Sequence, residues 1–465
     1  MSDLAQSTPA SGSVGSLNML KVRDDARPFL FDMGEKSEVR PEDGGVPAWA
    51  GDRLNRSVLR ARIEPWLTSL LQADHLSLLV GSGLTAGLEH LAGVDSSTSM
   101  SAGHFTSMST EIAAASQKSA AAAGRDAVNI EDEIRTATQL LRGLEILSDG
   151  RADELRNELN EVLADFAASI LQGEEKLMAA DTAQRERALK TLVSFLMSFA
   201  SRTGSRDRLG IFTTNYDRVI EVGAELAGLH LIDRFVGSVS PIFRSSRMDI
   251  DLHYNPPGIR GEPRFVEGVA RFTKLHGSVD WASVGDRIRR IGLPFGAESI
   301  GPYLKAPGLA GATPSSLMIH PNASKDRETA EYPYVELFRD FAAAVARPNS
   351  TIVTYGYSFG DEHINRVIRD TLTIPSTHLV IISFGDPLGR IKGAYEKWGR
   401  ESQISLLLGP ELGSIETLTA HYLPKPSIDV TSRRMGDLLR QRYGTGENSN
   451  AKPAESRDNV GGGAS

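Results

Sequence analysis

The sequence predicts a doubly wound α/β fold: a mostly parallel sheet with helices on both faces and a large helical insertion. Three observations carry this expectation. Short apolar runs recur along the chain, continuous rather than alternating, as in strands covered on both faces. Segments of helical period follow several of them. The runs also end abruptly in Gly, Ser, Thr, Asn or Asp, at the carboxyl edge where such sheets bind their ligands.

The runs, in chain order, are LSLLVGSGLT (76–85), LGIFTTNYD (209–217), RFTKLHGS (271–278), SLMIHP (316–321), TIVTYGYSFGDEHI (351–364), LVIISFGDP (379–387) and ISLLLGP (404–410). Together they define a Rossmann-like domain over residues 51–425. Residues 1–50, rich in Ser, Gly, Pro and charge, read as a flexible arm. Residues 426–465 form a C-terminal segment ending in a disordered tail. The first two runs are separated by an insertion at about 96–206. It opens with a Ser/Ala-rich stretch (96–128) without steady period, a loop or a weak helix. It then turns strongly helical: Leu155, Leu159, Val162, Phe166 and Ile170 share one face, as do Leu189, Leu192, Leu196 and Phe199. A lid over the sheet is the expected role. WASVGDRIRRIGLPF, within 279–315, reads as a β-hairpin region plus loop.

Composition narrows the functional classes. The 465 residues are 40% hydrophobic and 24% charged, enough for a sizeable core. A net charge of -8 disfavours direct nucleic-acid binding, which calls for a basic face. The absence of cysteine removes disulfides, thiolate metal sites and Cys nucleophiles. No run approaches the roughly 20 apolar residues that span a bilayer, and the N-terminus is unlike a signal peptide, so a cytoplasmic protein is expected.

Four strand ends carry chemistry. In VGSGLTAGL, Gly81 and Gly83 follow a strand and open a helix, where backbone amides can approach a phosphate. A plain tight turn explains them equally, since the third glycine, Gly87, comes one position late for G-x-G-x-x-G. In TTNYD, Asn215 can donate and accept hydrogen bonds to a ribose or carboxamide, and Asp217 adds an acceptor. Asp217 can equally cap the next helix. In KLHGS, His276 is the histidine best placed for general-base work, against the alternative of a structural histidine; Trp281 lies close in sequence. In YGYSFGDEHINRVI, Ser358 and Asp361 can hold a ribose or phosphate, or Asp361 can be a cap. GYSFG also matches the G-x-S-x-G nucleophile elbow, and Asp386 and His421 follow in the order of an α/β-hydrolase triad. No metal site is expected, because neighbouring residues in DEH do not face one way.

Taken together and in this order, the four motifs resemble the sirtuin family. GSGLT resembles its Gly-rich dinucleotide loop, TTNYD its Thr-Gln-Asn-Ile-Asp, KLHG its His-Gly pair, and GYSFGDEHI its late Gly-x-Ser ribose loop. The resemblance implies NAD as substrate. By it, Asn215 would position water and the nicotinamide ribose, and His276 would act as base on a ribose hydroxyl or water. Gly81, Ser82, Gly83 and Thr85 would cradle the pyrophosphate. Thr214 and Asp217 would line the nicotinamide side, and Gly356, Ser358 and Asp361 would contact the adenosine ribose. Two departures bear on the activity. The family's deacylases carry a four-Cys zinc module, impossible here, and the Pro-Asp-Phe-Arg segment is replaced by AGLEHLAGVDSS. Both fit relatives that cleave NAD outright, as effectors of bacterial antiphage defence by abortive infection. The resemblance further implies a homo-oligomer, gated by self-assembly or by a HerA-like hexameric ATPase/translocase. The alternatives are the serine hydrolase using Ser358, Asp386 and His421, or a non-catalytic NAD/ADP-ribose-binding module.

Overall fold

In the computed structural model, residues 17–42, 45–51, 54–95, 105–122, 128–202, 206–245, 250–255, 264–313, 316–318 and 332–425 are described. The main sheet has ten strands: β1 (Asn18–Lys21), β2 (Phe29–Met33), β3 (Val39–Pro41), β4 (His75–Val80), β5 (Leu209–Thr213), β6 (His230–Ile232), β7 (Val269–Lys274), β8 (Ser350–Tyr355), β9 (His378–Ser383) and β10 (Ile404–Leu408). Their order across the sheet is β3-β2-β1-β10-β9-β8-β4-β5-β7-β6. From β10 to β6 every pairing is parallel. The first parallel strand, β4, lies in the middle. The chain builds outward through β5 and β7 on one side, then returns to build β8, β9 and β10 on the other. This reversal opens a crevice beyond the carboxyl ends of β4 and its neighbours.

The continuous hydrophobicity of these strands follows from cover on both faces. Leu78 and Val80 of β4, Ile211 of β5 and Val353 of β8 pack with helices α1 (Arg56–Leu71), α2 (Gly83–Leu91), α6 (Thr182–Ala200) and α7 (Val219–Leu226). The residues between them, Leu79, Phe212 and Ile352, face the other way. They pack with α8 (Tyr334–Val345), α9 (Glu362–Thr371) and α10 (Arg390–Trp398). Side chains alternate strictly along a strand, so both sets of positions must be apolar.

A third core joins α3 (Ser109–Ala122), α4 (Ile130–Leu147) and α5 (Ala152–Ala179) to a small antiparallel sheet. Its strands lie in the order Leu317–Met318, Ser278–Val284, Arg287–Arg290, Ile242–Phe243, Phe235–Val236. The Leu155, Leu159, Val162, Phe166, Ile170 face of α5 points into this core. The hairpin within 279–315 is present, Trp281 pairing with Arg290.

Three expectations need correction. Residues 1–50 are not a loose arm throughout: β1, β2 and β3 extend the main sheet, β1 pairing antiparallel with β10 and burying Leu20 and Phe31. These strands are too short to stand out above the polar residues between them; residues 1–16 lie outside the described ones. SLMIHP supplies no main-sheet strand. Leu317–Met318 pairs in the small sheet, and 319–321 lie outside the described residues. The insertion is not all lid, because Leu192, Leu196 and Phe199 of α6 pack on the main sheet. Its Ser/Ala-rich opening includes α3, while 96–104 and 123–127 lie outside the described residues, as does the C-terminal tail from 426.

Candidate active site

The β4 tip turns at Gly81 directly against the β8 tip. The Gly81 amide donates to the Tyr355 carbonyl (3.0 Å) and the Gly83 amide to the Gly356 carbonyl (3.1 Å). A Cβ on Gly83 would stand 2.6 Å from the Gly356 Cα, and one on Gly81 2.5 Å from its carbonyl oxygen. Glycine is needed at all three positions because two backbones touch, and Gly356 also has φ +60°. The amides of Gly81 and Gly83 are thus spent on the neighbouring strand. At the start of α2, those of Ser82 and Thr85 have no backbone acceptor among the described residues.

The β5 tip, TTNYD, is clamped from several directions. The Asn215 Nδ2 donates to the Gly81 carbonyl (3.2 Å) and the Thr85 hydroxyl (3.2 Å). That leaves its Oδ1 as an acceptor for a ligand. The Thr85 hydroxyl donates onward to Asp217 Oδ2 (2.8 Å), while Asp217 Oδ1 accepts the Val219 amide (3.1 Å). Asp217 therefore closes an Asx-turn at the start of α7 and also holds Thr85 in place. Beneath the turn, fully buried Lys274 donates to the carbonyls of Tyr216 and Asp217 and to Glu221 (3.0 Å). Burial pushes the Glu221 carboxyl up, against the pull of Lys274. Behind the turn, Arg218 forms a buried ion pair with Glu174 of α5 and donates to the Leu293 and Pro294 carbonyls. Burial opposes its charge, but the Glu174 carboxylate raises the Arg218 pKa above its ordinary value.

His276 follows β7 and precedes Gly277, which has φ +93°. A Cβ at 277 would stand 2.1 Å from the Met318 carbonyl oxygen, so only glycine admits this turn. The His276 Nε2 hydrogen-bonds Asp361 Oδ2 (3.0 Å). Asp361 Oδ1 caps α9 through the amides of His363 (2.8 Å) and Ile364 (3.3 Å). Expected on the adenosine ribose, Asp361 is instead the partner of the imidazole. The cap reading of that residue holds, while its other oxygen serves His276. Tyr357 donates to the Asp361 carbonyl (3.1 Å), and burial pushes its phenol well above the usual range.

These tips converge on one cavity of about 1180 Å³. Of the expected residues, Asn215, His276, Gly81, Ser82, Gly83, Thr85, Thr214, Asp217, Ser358 and Asp361 line it. Gly356 does not; it supports the Gly81–Gly83 turn from behind. The hydrolase triad is not brought together. Ser358 lines the cavity, but Asp386 and His421 do not. Asp386 accepts the amides of Ile391 (2.8 Å) and Lys392 (3.2 Å) at the start of α10. Trp281, close to His276 in sequence, does not line the cavity: it is buried against Phe235 and Phe243 of the small sheet. Among the described residues, no His, Asp and Glu side chains gather as metal ligands.

Several lining residues escaped the sequence reading. Arg135 and Glu131 come from α4, and the Tyr216 hydroxyl reaches Glu131 Oε1 at 3.4 Å. The Phe338 ring lies 6.4 Å from that of His276, tilted by 30°. Arg390, Lys397 and Trp398 come from α10. One signal was visible for the support beneath the site: a lysine inside the apolar run RFTKLHG has to find buried acceptors, and Lys274 does.

Residues 209–407 match the family described as SIR2-like domain. The match begins at β5. It holds Asn215, His276, Ser358, Asp361 and α10 but not the Gly81–Gly83 turn or the helices α3 to α6. SIR2-like domains use NAD. No curated protein matches the chain. No helix among the described residues is long and apolar enough to cross a membrane.

Proposed function

We propose that the protein is an NAD+ glycohydrolase, releasing nicotinamide and ADP-ribose. One observation carries the reading: Asn215 and His276, at the tips of the adjacent parallel strands β5 and β7, line one cavity with the Gly81–Gly83 turn. Neighbouring strands lie about 4.8 Å apart, so one ribose can meet both side chains.

In this reaction the C1′–nitrogen bond breaks, nicotinamide leaves with the bonding pair, and positive charge builds on the ribose. Water adds at C1′ and gives up one proton. With its Nδ2 held by Gly81 and Thr85, Asn215 accepts from the attacking water or a ribose hydroxyl through Oδ1. His276, oriented by Asp361, takes the proton from the water or a ribose hydroxyl. Ser82 and Thr85 amides at the start of α2 receive the pyrophosphate. Thr214 and Asp217 line the nicotinamide side, and Ser358 the adenosine side. Catalysis comes from orientation and from dipoles fixed before the substrate arrives.

The test is nicotinamide release from NAD+ by the purified protein, alone and with candidate ATPase partners and DNA. Asn215→Ala and His276→Ala should each lower turnover by about 100-fold or more, with the protein still folded at the assay temperature. Binding of NAD+ with no cleavage under every condition would establish the non-catalytic module instead. The biological setting rests on the family resemblance: NAD depletion in the cytoplasm as antiphage defence, gated by homo-oligomerisation or a HerA-like ATPase. Light scattering checks the gating, since a monomer fully active alone contradicts it.

A further inference from the structure

The wall that α10 gives the cavity is basic, and this bears on which dinucleotide is taken. Helix α10 follows β9, which lies three strands from β5, roughly 14 Å away at about 4.8 Å per strand. On the proposed reading this is the adenosine end. Arg390 and Lys397, seven residues apart on one side of α10, both line the cavity, with Gly393 and Ala394 as a low floor between them and Trp398 beyond. A Cβ at Gly360 would come within 2.8 Å of an Arg390 guanidinium nitrogen and 3.3 Å of the Ser358 hydroxyl. The bare backbone at Gly360 therefore lets Arg390 lie across the loop that carries Ser358.

Carboxylates decide the same question from the other side. Dinucleotide sites selective for an unphosphorylated adenosine ribose present an acid to its 2′-hydroxyl, and that acid repels a 2′-phosphate; an arginine in its place accepts one. Here the acid at the β9 tip, Asp386, is bound to the first amides of α10 and lies outside the cavity lining. Asp361 is bound to His276 and to the α9 amides. Glu362, in the first turn of α9, also lines the cavity, but it is exposed, where solvent and salt screen its repulsion of a phosphate.

We infer that Arg390 and Lys397 form a subsite for a phosphate on the adenosine ribose, so that the protein also takes the 2′-phosphorylated dinucleotide NADP+. This rests on the NAD+-cleaving reading and extends its substrate class. The step is the same: water adds at C1′, nicotinamide departs, and 2′-phospho-ADP-ribose and a proton are formed. Guanidinium and ammonium groups meet a dianionic phosphate through charge-assisted hydrogen bonds.

The experiment compares kcat/KM for NADP+ and NAD+ at low and high salt. Wild type should cleave NADP+ at least as efficiently as NAD+ at low salt. The Arg390→Ala/Lys397→Ala double variant should lower the NADP+/NAD+ ratio by about tenfold or more. Lys397→Glu, at an exposed position, should lower it in the same direction. The ratio is internally controlled for folding, because both substrates meet the same protein. A wild type that cleaves NAD+ while nearly ignoring NADP+, or a ratio the double variant leaves unmoved, overturns the subsite and leaves the NAD+ reading standing. If neither dinucleotide is cleaved, the NAD+ reading fails, and titration calorimetry with 2′-phospho-ADP-ribose and ADP-ribose decides: tighter binding of the phosphorylated form supports the subsite, equal or weaker binding overturns it.

Discussion

Asp361→Asn isolates the contact that most directly sets the state of the candidate base. The wild-type carboxylate divides its oxygens, Oδ2 to His276 Nε2 at 3.0 Å and Oδ1 to the His363 and Ile364 amides. Asparagine is as good an N-cap as aspartate, so the amide oxygen keeps the α9 cap and stability should change by less than about 0.5 kcal/mol. The other amide position is NH2, a donor facing a nitrogen that had itself been oriented by an acceptor. Loss of one charge-assisted hydrogen bond is worth about 1.5–3 kcal/mol, or roughly 10- to 150-fold in kcat/KM. Inverting the imidazole tautomer, as when a triad aspartate becomes asparagine, raises the loss toward ~10⁴-fold. Nicotinamide release under saturating and limiting NAD+ should show the defect mainly in kcat, with the melting temperature held. Full activity in Asp361→Asn would refute the positioning role. A large drop in melting temperature would show that the contact serves the fold instead.

Three further outcomes follow from the structure. His378, packed edge-on to Trp66 and bonded to the Ser405 hydroxyl, is pushed down to about 4 by burial and by Lys21. The unfolded chain therefore binds the extra proton first: this stability is present above about pH 6.5 and is lost as pH falls toward 4, by up to about 3 kcal/mol. Denaturant midpoints across that window should fall in wild type and fall less in His378→Gln. Gly277→Ala forces a Cβ to 2.1 Å from the Met318 oxygen at φ +93°, and should cost at least about 2 kcal/mol in chemical denaturation while displacing His276 and abolishing turnover. Arg218→Met strands the Glu174 carboxylate in the protein interior and should destabilise by about 3–5 kcal/mol in the same assay, and a loss below 1 kcal/mol would show that the pair does not anchor α5 to the β5 turn.

Much of the site was legible in the sequence because it sits at strand tips. A buried parallel strand must be apolar along its whole length, so the change to Gly81, Asn215, His276 or Ser358 marks the point where each chain leaves the core. The cation beneath the site was visible too, as Lys274 inside an apolar run, though its acceptors were not. What remained hidden involves partners brought from far along the chain. The sequence offers no measure of which oxygen of Asp361 meets His276, 85 residues away, or that Asp386 turns into its own helix while Arg390 turns to the cavity. Nor does it show that β1 to β3 complete the sheet, since three short strands in a polar segment carry almost no periodic signal.

The apolar pattern by itself therefore determined the class of fold and the positions along the chain where chemistry could emerge, because burial on two faces leaves a mark in every residue of a strand. Strand order decided the rest. Placing β4 between β5 and β8 pairs residues that are 133 and 275 positions apart, and that arrangement depends on long-range packing which no local stretch of sequence encodes.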